Sequence, residues 1–263
     1  MKTLIRRYDE AVTRSGSVLC LGLDPDPTIH PKTDEKLHFC LETLDKVAEH
    51  VSAVKVNENF VRDFSLSDHR RLTEDAHQRG LVAIYDCKMC DIENTVKAGI
   101  KLVSEMGYDF VTFNPVMGTL AAAVKYGEEN NVGVIVLLHP SNPESEKFFR
   151  ARLDNSEKLY EKILIETVEC GAEGVVVGLH PKLRREEVRR IRTALGDDRI
   201  ILFPGVGAQG GDIEIAVSDG GERILINVGR AIIYSSNPSK AAVEIQSRIA
   251  EIRRKQTKTG KNI

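Results

Sequence analysis

The sequence has almost no excess charge and no long apolar run. Its 263 residues carry 37 Lys and Arg against 39 Asp and Glu, a formal net charge of −2. This balance gives no electrostatic argument for a nucleic-acid or membrane partner. The apolar runs are far shorter than the ~20 residues that a membrane-spanning helix needs. The first residues, MKTLIRRYDEAV, contain no signal-type apolar segment, so we expect a cytoplasmic protein.

Cysteines are few. The five (Cys20, Cys40, Cys87, Cys90 and Cys170) are an odd number in a large chain, which argues against a disulfide framework and for a reducing compartment. Cys87 and Cys90 form a C-x-x-C between a strand and a helix, where redox pairs occur. Redox chemistry therefore stays an alternative, although neighbouring aspartates would raise the pKa of these thiols. With no second C-x-x-C and no H-x-x-x-H, we expect no metal site.

Apolar strand-like runs alternate with helical patterns along the whole chain. We predict strands at residues 18–23, 51–57, 81–85, 109–113, 132–138, 174–179, 200–203 and 223–228, and helices at about 1–14, 33–50, 66–79, from 93, 119–129, 156–170, 185–195, 211–219 and 238–255. Eight such units in about 250 residues are typical of a (β/α)8 TIM barrel, and a doubly wound open sheet is the alternative. We expect one α/β domain over residues 1–263, ending in a disordered basic tail at about 256–263.

The most informative stretch is LVAIYDCKMCDIENTVKAG, an apolar run that ends abruptly in three charged residues. Because strand side chains alternate, Asp86 and Lys88 should point to the same side of the sheet. Asp91 follows the strand and can cap the helix that begins near Glu93.

A further lysine, Lys55, lies inside the apolar run VSAVKVN, where a charge is costly unless it is paired. Two lysines and the aspartates at strand ends could form an alternating cluster. Such a cluster gains little stability, which favours a functional role. Asp24 ends the first strand in the same way, and barrel active sites lie at these strand ends.

A glycine-rich segment, PGVGAQGGD at 204–212, follows the seventh strand and opens a helix. Its glycines let backbone N–H groups turn toward an anion at a helix N-terminus. The eighth strand ends in NVGRAI, where Arg230 can add a charge-assisted contact. Phosphate-binding barrels hold phosphate at these two loops, so we predict a phosphate site here.

Taken together, these strings resemble the orotidine 5′-monophosphate decarboxylase family. The family pattern D-x-K-x-x-D-I-x-x-T is matched by residues 86–95, and the flanking strings CLGLDPDP, VKVN, TFNPVMG, SNPE, PGVGAQGGD and VGRAI have counterparts in the same order. The resemblance covers nearly the whole chain.

The resemblance implies a carboxy-lyase that converts orotidine 5′-monophosphate (OMP) into UMP without a cofactor, in pyrimidine biosynthesis. By this likeness Lys88 delivers a proton to C6 of the pyrimidine, and Asp86, Lys55 and Asp91 complete the charged network. Asp24 and Lys55 would contact the ribose hydroxyls.

The remaining substrate contacts also follow from the resemblance. Asp91 and Thr95 would reach into the active site of the neighbouring subunit, which implies a homodimer. Ser141, with Asn142 beside it in SNPE, would contact the uracil ring. The phosphate would be held by Gln209, Gly229 and Arg230.

Two alternatives to this activity stay open. One is a metal-dependent sugar-phosphate decarboxylase or aldolase of the same phosphate-barrel group, which would need an acidic ligand near Lys55, such as Glu58. The other is a non-catalytic barrel that binds a phosphate ligand, although simple binding would not require like charges buried near a ligand carboxylate.

Overall fold

The computed structural model describes residues 3–206 and 212–259. Eight parallel strands close into a barrel in sequence order, each paired with the next and β8 paired with β1. They are β1 Leu19–Leu23, β2 Ala53–Asn57, β3 Val82–Met89, β4 Phe110–Phe113, β5 Gly133–His139, β6 Gly174–Val177, β7 Ile200–Pro204 and β8 Ile224–Val228. The predicted (β/α)8 barrel is confirmed, and the open sheet is wrong.

Helices follow the strands and cover the outside of the barrel. They are α1 Thr3–Ser15, α2 Thr33–Val47, α3 Leu66–Gln78, α4 Glu93–Glu105, α5 Leu120–Asn130, α6 Glu146–Phe149, α7 Leu159–Glu169, α8 Arg185–Leu195, α9 Ile213–Asp219, α10 Arg230–Ile233 and α11 Pro238–Thr259. Within the described ranges, no helix is both long and apolar enough to cross a membrane.

The strands are apolar because they are covered on both faces. Every residue of β1, β5 and β8 is buried, as expected for parallel strands between a packed interior and a helical layer. The strand register aligns Gly22 with Lys55, and Asn57 with Asp86. This register brings the polar ends of the first three strands to one level at the C-terminal end of the barrel.

Helix α1 packs at the opposite end. Its apolar stripe, Leu4, Ile5, Tyr8 and Ala11, is buried, and the Tyr8 hydroxyl donates to the carbonyl of Ile224 at the start of β8, at 2.9 Å. Because this helix covers the N-terminal end, the C-terminal end is left for a site.

Several predicted boundaries differ from the structure. The helix expected from residue 156 begins at Leu159 and is preceded by the short α6, because residues 150–158 form turns and a bridge between Arg152 and Lys158. Helix α11 continues to Thr259 instead of ending near residue 255. Residues 256–259 are therefore helical and not disordered, and Gln256 donates to the carbonyl of Ser218 at 2.7 Å. Residues 260–263 lie outside the described ranges.

Asp91 is not the helix cap that we predicted. The N-cap of α4 is Ile92, which makes no capping side-chain bond, and the Asp91 carboxylate instead accepts from the backbone N–H of Ile92 at 2.7 Å. The helix begins one residue later than an Asp91 cap would require, so this carboxylate is left outside the first helical turn.

Candidate active site

A cavity of about 280 Å³ opens at the C-terminal end of the barrel. Residues from most of the strand ends line it: Asp24, Lys55, Asn57, Asp86, Lys88, Leu137, Pro140, Ser141, Asn142, Val176, Leu202, Pro204, Gly205, Val206, Asn227, Gly229, Arg230 and Ala231. Most residues that the sequence singled out therefore meet in one place, although they come from distant parts of the chain.

A carboxylate flanked by two ammonium groups occupies one side of the cavity. Lys55 Nζ donates to Asp86 Oδ2 at 2.6 Å, and Lys88 Nζ donates to Asp86 Oδ1 at 2.8 Å. Thr112, on β4, donates its hydroxyl to the same Oδ1 at 2.9 Å. Asp86 is thus saturated with donors and fixed between the two lysines.

Burial and charge oppose each other in this cluster. Burial lowers the pKa of Lys55, but the carboxylates of Asp86 and Asp24 outweigh it and hold that pKa above the usual range. Burial raises the pKa of Asp86, while Lys55 and Lys88 more than offset it and keep that pKa well below the usual range. Both Lys55 and Asp86 are therefore charged at neutral pH. The Lys88 side chain, 45% exposed, faces the opening.

The backbone at Lys88 is unusual. Its φ of +48° lies in the left-handed region, and the pairing of β3 with β4 shifts register between Tyr85 and Met89. The Thr112 hydroxyl accepts from the Lys88 N–H at 2.9 Å and holds this turn. Left-handed residues other than glycine are uncommon and cluster at functional sites. Here the distortion brings the Lys88 side chain back onto Asp86.

Asp24 follows β1 and lines the same cavity, where β1 and β8 approach closely. A Cβ on Gly22 would lie 3.0 Å from the Gly229 Cα, so two glycines allow this contact. Asp24 Oδ1 is buried and has no hydrogen-bond partner among the described residues. The same is true of Asn227 Oδ1, and Asn227 also lines the cavity. Unpartnered buried polar atoms are rare, and these two face a region where a ligand could satisfy them.

The mouth of the cavity carries the remaining predicted contacts. Ser141 and Asn142 line it from the segment after β5, and Gly229 and the exposed Arg230 line it from the end of β8. Gln209, the other predicted phosphate contact, lies outside the described residues.

Asp91 and Thr95 lie outside this cavity. Asp91 is half-buried beyond the end of β3, and Thr95 is exposed on α4. The carbonyl of Asp91 accepts from the Thr119 hydroxyl at 2.9 Å, which ties the start of α4 to the turn before α5.

Sequence reasoning missed Thr112, which contacts both the carboxylate and the Lys88 backbone. Its only signal is a polar residue within the buried strand FVTF. It also missed the cavity lining by Asn227 and by the apolar side chains Leu137, Val176 and Leu202. Apolar strand residues have no signal that separates cavity lining from ordinary core.

The cysteine pair does not have the features of a redox centre. Burial raises the pKa of the Cys87 thiol to about 12, so almost no thiolate forms at neutral pH.

In residues 3–206 and 212–259, no group of three or more His, Cys, Asp or Glu is arranged to hold a metal ion. Glu58, the acidic residue that the metal-dependent alternative would need near Lys55, pairs with Arg62, with 3.9 Å between Glu58 Oε2 and Arg62 Nη2.

The sequence is similar to those of known proteins over most of its length. Residues 17–245 match the model of the orotidine 5′-phosphate decarboxylase / HUMPS family. Orotidine 5′-phosphate decarboxylases of Roseiflexus castenholzii and Dechloromonas aromatica are each 31% identical, over 93% and 95% of this chain and 94% and 97% of their own lengths.

Solved structures show the same fold. A UMP synthase structure from Leishmania donovani superposes with a TM-score of 0.81 and 26% identity, over 96% of this chain and 57% of that one. An orotidine 5′-monophosphate decarboxylase from Plasmodium berghei, at 22% identity, shares the fold with a TM-score of 0.82 over 96% of this chain and 99% of its own. With its family match across most of its length, the chain belongs to the orotidine 5′-phosphate decarboxylase / HUMPS family.

Proposed function

We propose that the protein is an orotidine 5′-phosphate decarboxylase that converts OMP into UMP and CO2 in cytoplasmic pyrimidine biosynthesis, with Lys88 as the proton donor. The observation that carries this proposal is the row Lys55, Asp86 and Lys88 along one wall of the cavity, with contacts of 2.6 and 2.8 Å.

The reaction needs fixed charge near one carbon atom. When the bond between C6 and the carboxylate breaks, the electron pair stays on C6, an sp² carbon with no adjacent electron sink. Preorganised charges can stabilise such a centre without reorganisation during the reaction. Lys88 provides an ammonium group there and then transfers its proton to C6, after which it regains a proton from water.

Asp86 and Lys55 prepare this donor. Asp86 accepts from both lysines and so orients the Lys88 ammonium group. A negative charge at this position would also lie beside the substrate carboxylate and repel it, which would favour release of CO2. We assign Lys55, together with Asp24, to the ribose hydroxyls, because the buried and unpartnered Asp24 Oδ1 suits a hydroxyl donor.

The two ends of the substrate bind at the mouth. We assign the phosphate to Gly229, Arg230 and Gln209, since the exposed guanidinium of Arg230 can form a bidentate contact with phosphate oxygens. We assign the pyrimidine to Ser141 and Asn142, which line the same cavity from the segment after β5. Binding energy from the remote phosphate can be used to order the site around C6.

We also propose a homodimer in which Asp91 and Thr95 complete the neighbouring active site. Large apolar side chains are exposed close to Asp91: Ile92 is 58% exposed, Val116 57% and Met117 50%. They belong to the two segments that the Thr119 to Asp91 hydrogen bond joins. Exposed apolar groups of this kind favour burial against a second chain.

The test measures the loss of the ultraviolet absorbance of OMP when it is mixed with purified, EDTA-treated protein. The Lys88→Ala variant is measured under the same conditions. We expect the wild type to form UMP without added metal, and Lys88→Ala to lose about 10³-fold or more in kcat, since general acids contribute about 10²–10⁴-fold. Activity that appears only after magnesium is restored, or only with a sugar-phosphate acid, would instead identify the metal-dependent relative.

A further inference from the structure

The segment that carries Ser141 and Asn142 is a folded unit rather than an open loop. Ser145 donates its hydroxyl to the carbonyl of Asn142 at 2.7 Å. Helix α6 follows directly and buries Phe149. The position of the two mouth residues therefore depends on how α6 is anchored.

Arg150, immediately after α6, anchors it through a three-group ion cluster. Its Nη1 and Nη2 bind the two oxygens of Glu187 at 2.5 and 2.8 Å, and its Nε lies 2.6 Å from Glu146 Oε2. Glu187 belongs to α8, after the next strand of the barrel. The cluster thus joins the segment after β5 to the segment after β6.

A buried histidine lies next to the cluster on the β6 side. His180 Nδ1 accepts from the backbone N–H of Lys182 at 3.2 Å, and its Nε2 lies 3.2 Å from Glu146 Oε1. The His180 side chain is fully buried, and those of Arg150, Glu146 and Glu187 are 18%, 13% and 8% exposed.

The two segments also touch directly at the mouth residue. The N–H of Gly178 donates to the carbonyl of His139 at 2.7 Å. A Cβ on Gly178 would collide with the backbone of Ser141. The start of the segment after β6 therefore packs against the Ser141 backbone. The Arg150 cluster holds the other end of that segment, where α8 carries Glu187.

Stability alone does not account for this cluster. Taking several charges out of water costs about as much as their pairing returns. What the paired arrangement does supply is a single geometry, because the planar guanidinium matches two carboxylates at fixed angles.

We propose that Arg150 is a positioning residue, which acts through Glu146 and Glu187 to hold Ser141 and Asn142 against the pyrimidine of the substrate. This inference rests on the proposed function, since it assigns the 141–142 side of the cavity to the base. It makes a selective prediction: loss of the cluster weakens recognition of the base and leaves recognition of the ribose phosphate unchanged.

The test compares UMP with ribose 5-phosphate, which lacks the base, by calorimetric binding to Arg150→Lys. Lysine keeps the charge but lacks the planar fork that pairs with both oxygens of Glu187. We expect the Kd for UMP to rise about tenfold, roughly the worth of one charge-assisted hydrogen bond, while the Kd for ribose 5-phosphate stays within about twofold. The kcat/KM for OMP should fall with UMP affinity.

The matched control is Arg223→Lys. Arg223 forms a bidentate pair with Asp9, at 2.9 and 2.8 Å, at the opposite end of the barrel, so neither Kd should change. Glu187→Gln is a second variant, which removes one negative charge from the cluster. If Arg150→Lys does not fold, the same two Kd values are measured with Glu187→Gln.

An equal rise in the Kd values for UMP and ribose 5-phosphate, or no change in either Kd, overturns the positioning role. The binding measurements need no turnover. A wild type that binds UMP without decarboxylating OMP therefore removes the proposed function alone, whereas an active wild type with non-selective variants removes the role of Arg150 alone.

Discussion

Lys55 Nζ lies 2.6 Å from Asp86 Oδ2, and the two side chains are only 5% and 9% exposed. A pair buried this deeply is costly to desolvate and adds little net stability. Its value lies in fixing one negative charge beside the Lys88 ammonium group, and the predictions below test that arrangement and its surroundings.

Asp86→Asn should destabilise the protein by about 3–5 kcal/mol, because it removes the carboxylate that is paired directly with the buried Lys55 charge. Adding Lys55→Met should restore most of the lost free energy of unfolding, although not the activity. Urea unfolding at pH 7 measures both. Equal stability of the single and double variants would show that the buried charge is not the cause.

Thr112→Val should lower the free energy of unfolding by about 1–3 kcal/mol, since the Lys88 N–H and Asp86 each lose a partner. With Lys88 less firmly held, kcat should fall by about tenfold. Thr112→Ser keeps the hydroxyl and is the control, so it should retain most of the wild-type kcat. If valine and serine behave alike, the hydroxyl does not orient Lys88.

Stability should fall in acid partly through His139. Burial lowers the pKa of this residue to about 4. Its ring packs on that of Tyr160, with 4.5 Å between the ring centroids. Because the folded pKa lies below the unfolded value of about 6.5, this contribution is complete above pH 6.5. It is lost as the pH falls toward 4, by at most about 1.4 kcal/mol per pH unit.

Urea unfolding of His139→Phe between pH 7 and pH 4.5 measures that contribution. The variant should lose less stability over this interval than the wild type. His38→Phe, which changes a side chain that is 75% exposed, should keep the wild-type slope. Parallel pH profiles for wild type and His139→Phe would contradict the prediction.

The proposed dimer predicts complementation between inactive variants. Lys88→Ala and Asp91→Ala, each nearly inactive alone, should recover up to about a quarter of wild-type activity when co-expressed, because half of the dimers then hold one intact site. Lys88→Ala with Lys55→Ala is the control, since both residues line one protomer's cavity, and it should recover nothing. Recovery no greater in the first mixture than in the control would refute a shared site.

The residue pattern alone was sufficient to predict the barrel and its active end. Apolar strand runs must be buried, and their charged ends must then lie together at one rim. For that reason the sequence alone assigns four charged residues to one site: Asp24, Lys55, Asp86 and Lys88. The spacing of Asp86 and Lys88 likewise predicted that their side chains lie on the same side of the sheet.

Only the tertiary structure could identify Thr112 and the Arg150 cluster. Thr112 reaches Asp86 because β4 pairs beside β3 with a shifted register, and no local pattern encodes the register between strands. Arg150 and Glu187 are 37 residues apart and meet because two successive loops fold over the same rim. Local periodicity reports which side chains are buried, whereas contacts between distant segments depend on how the closed barrel brings them together.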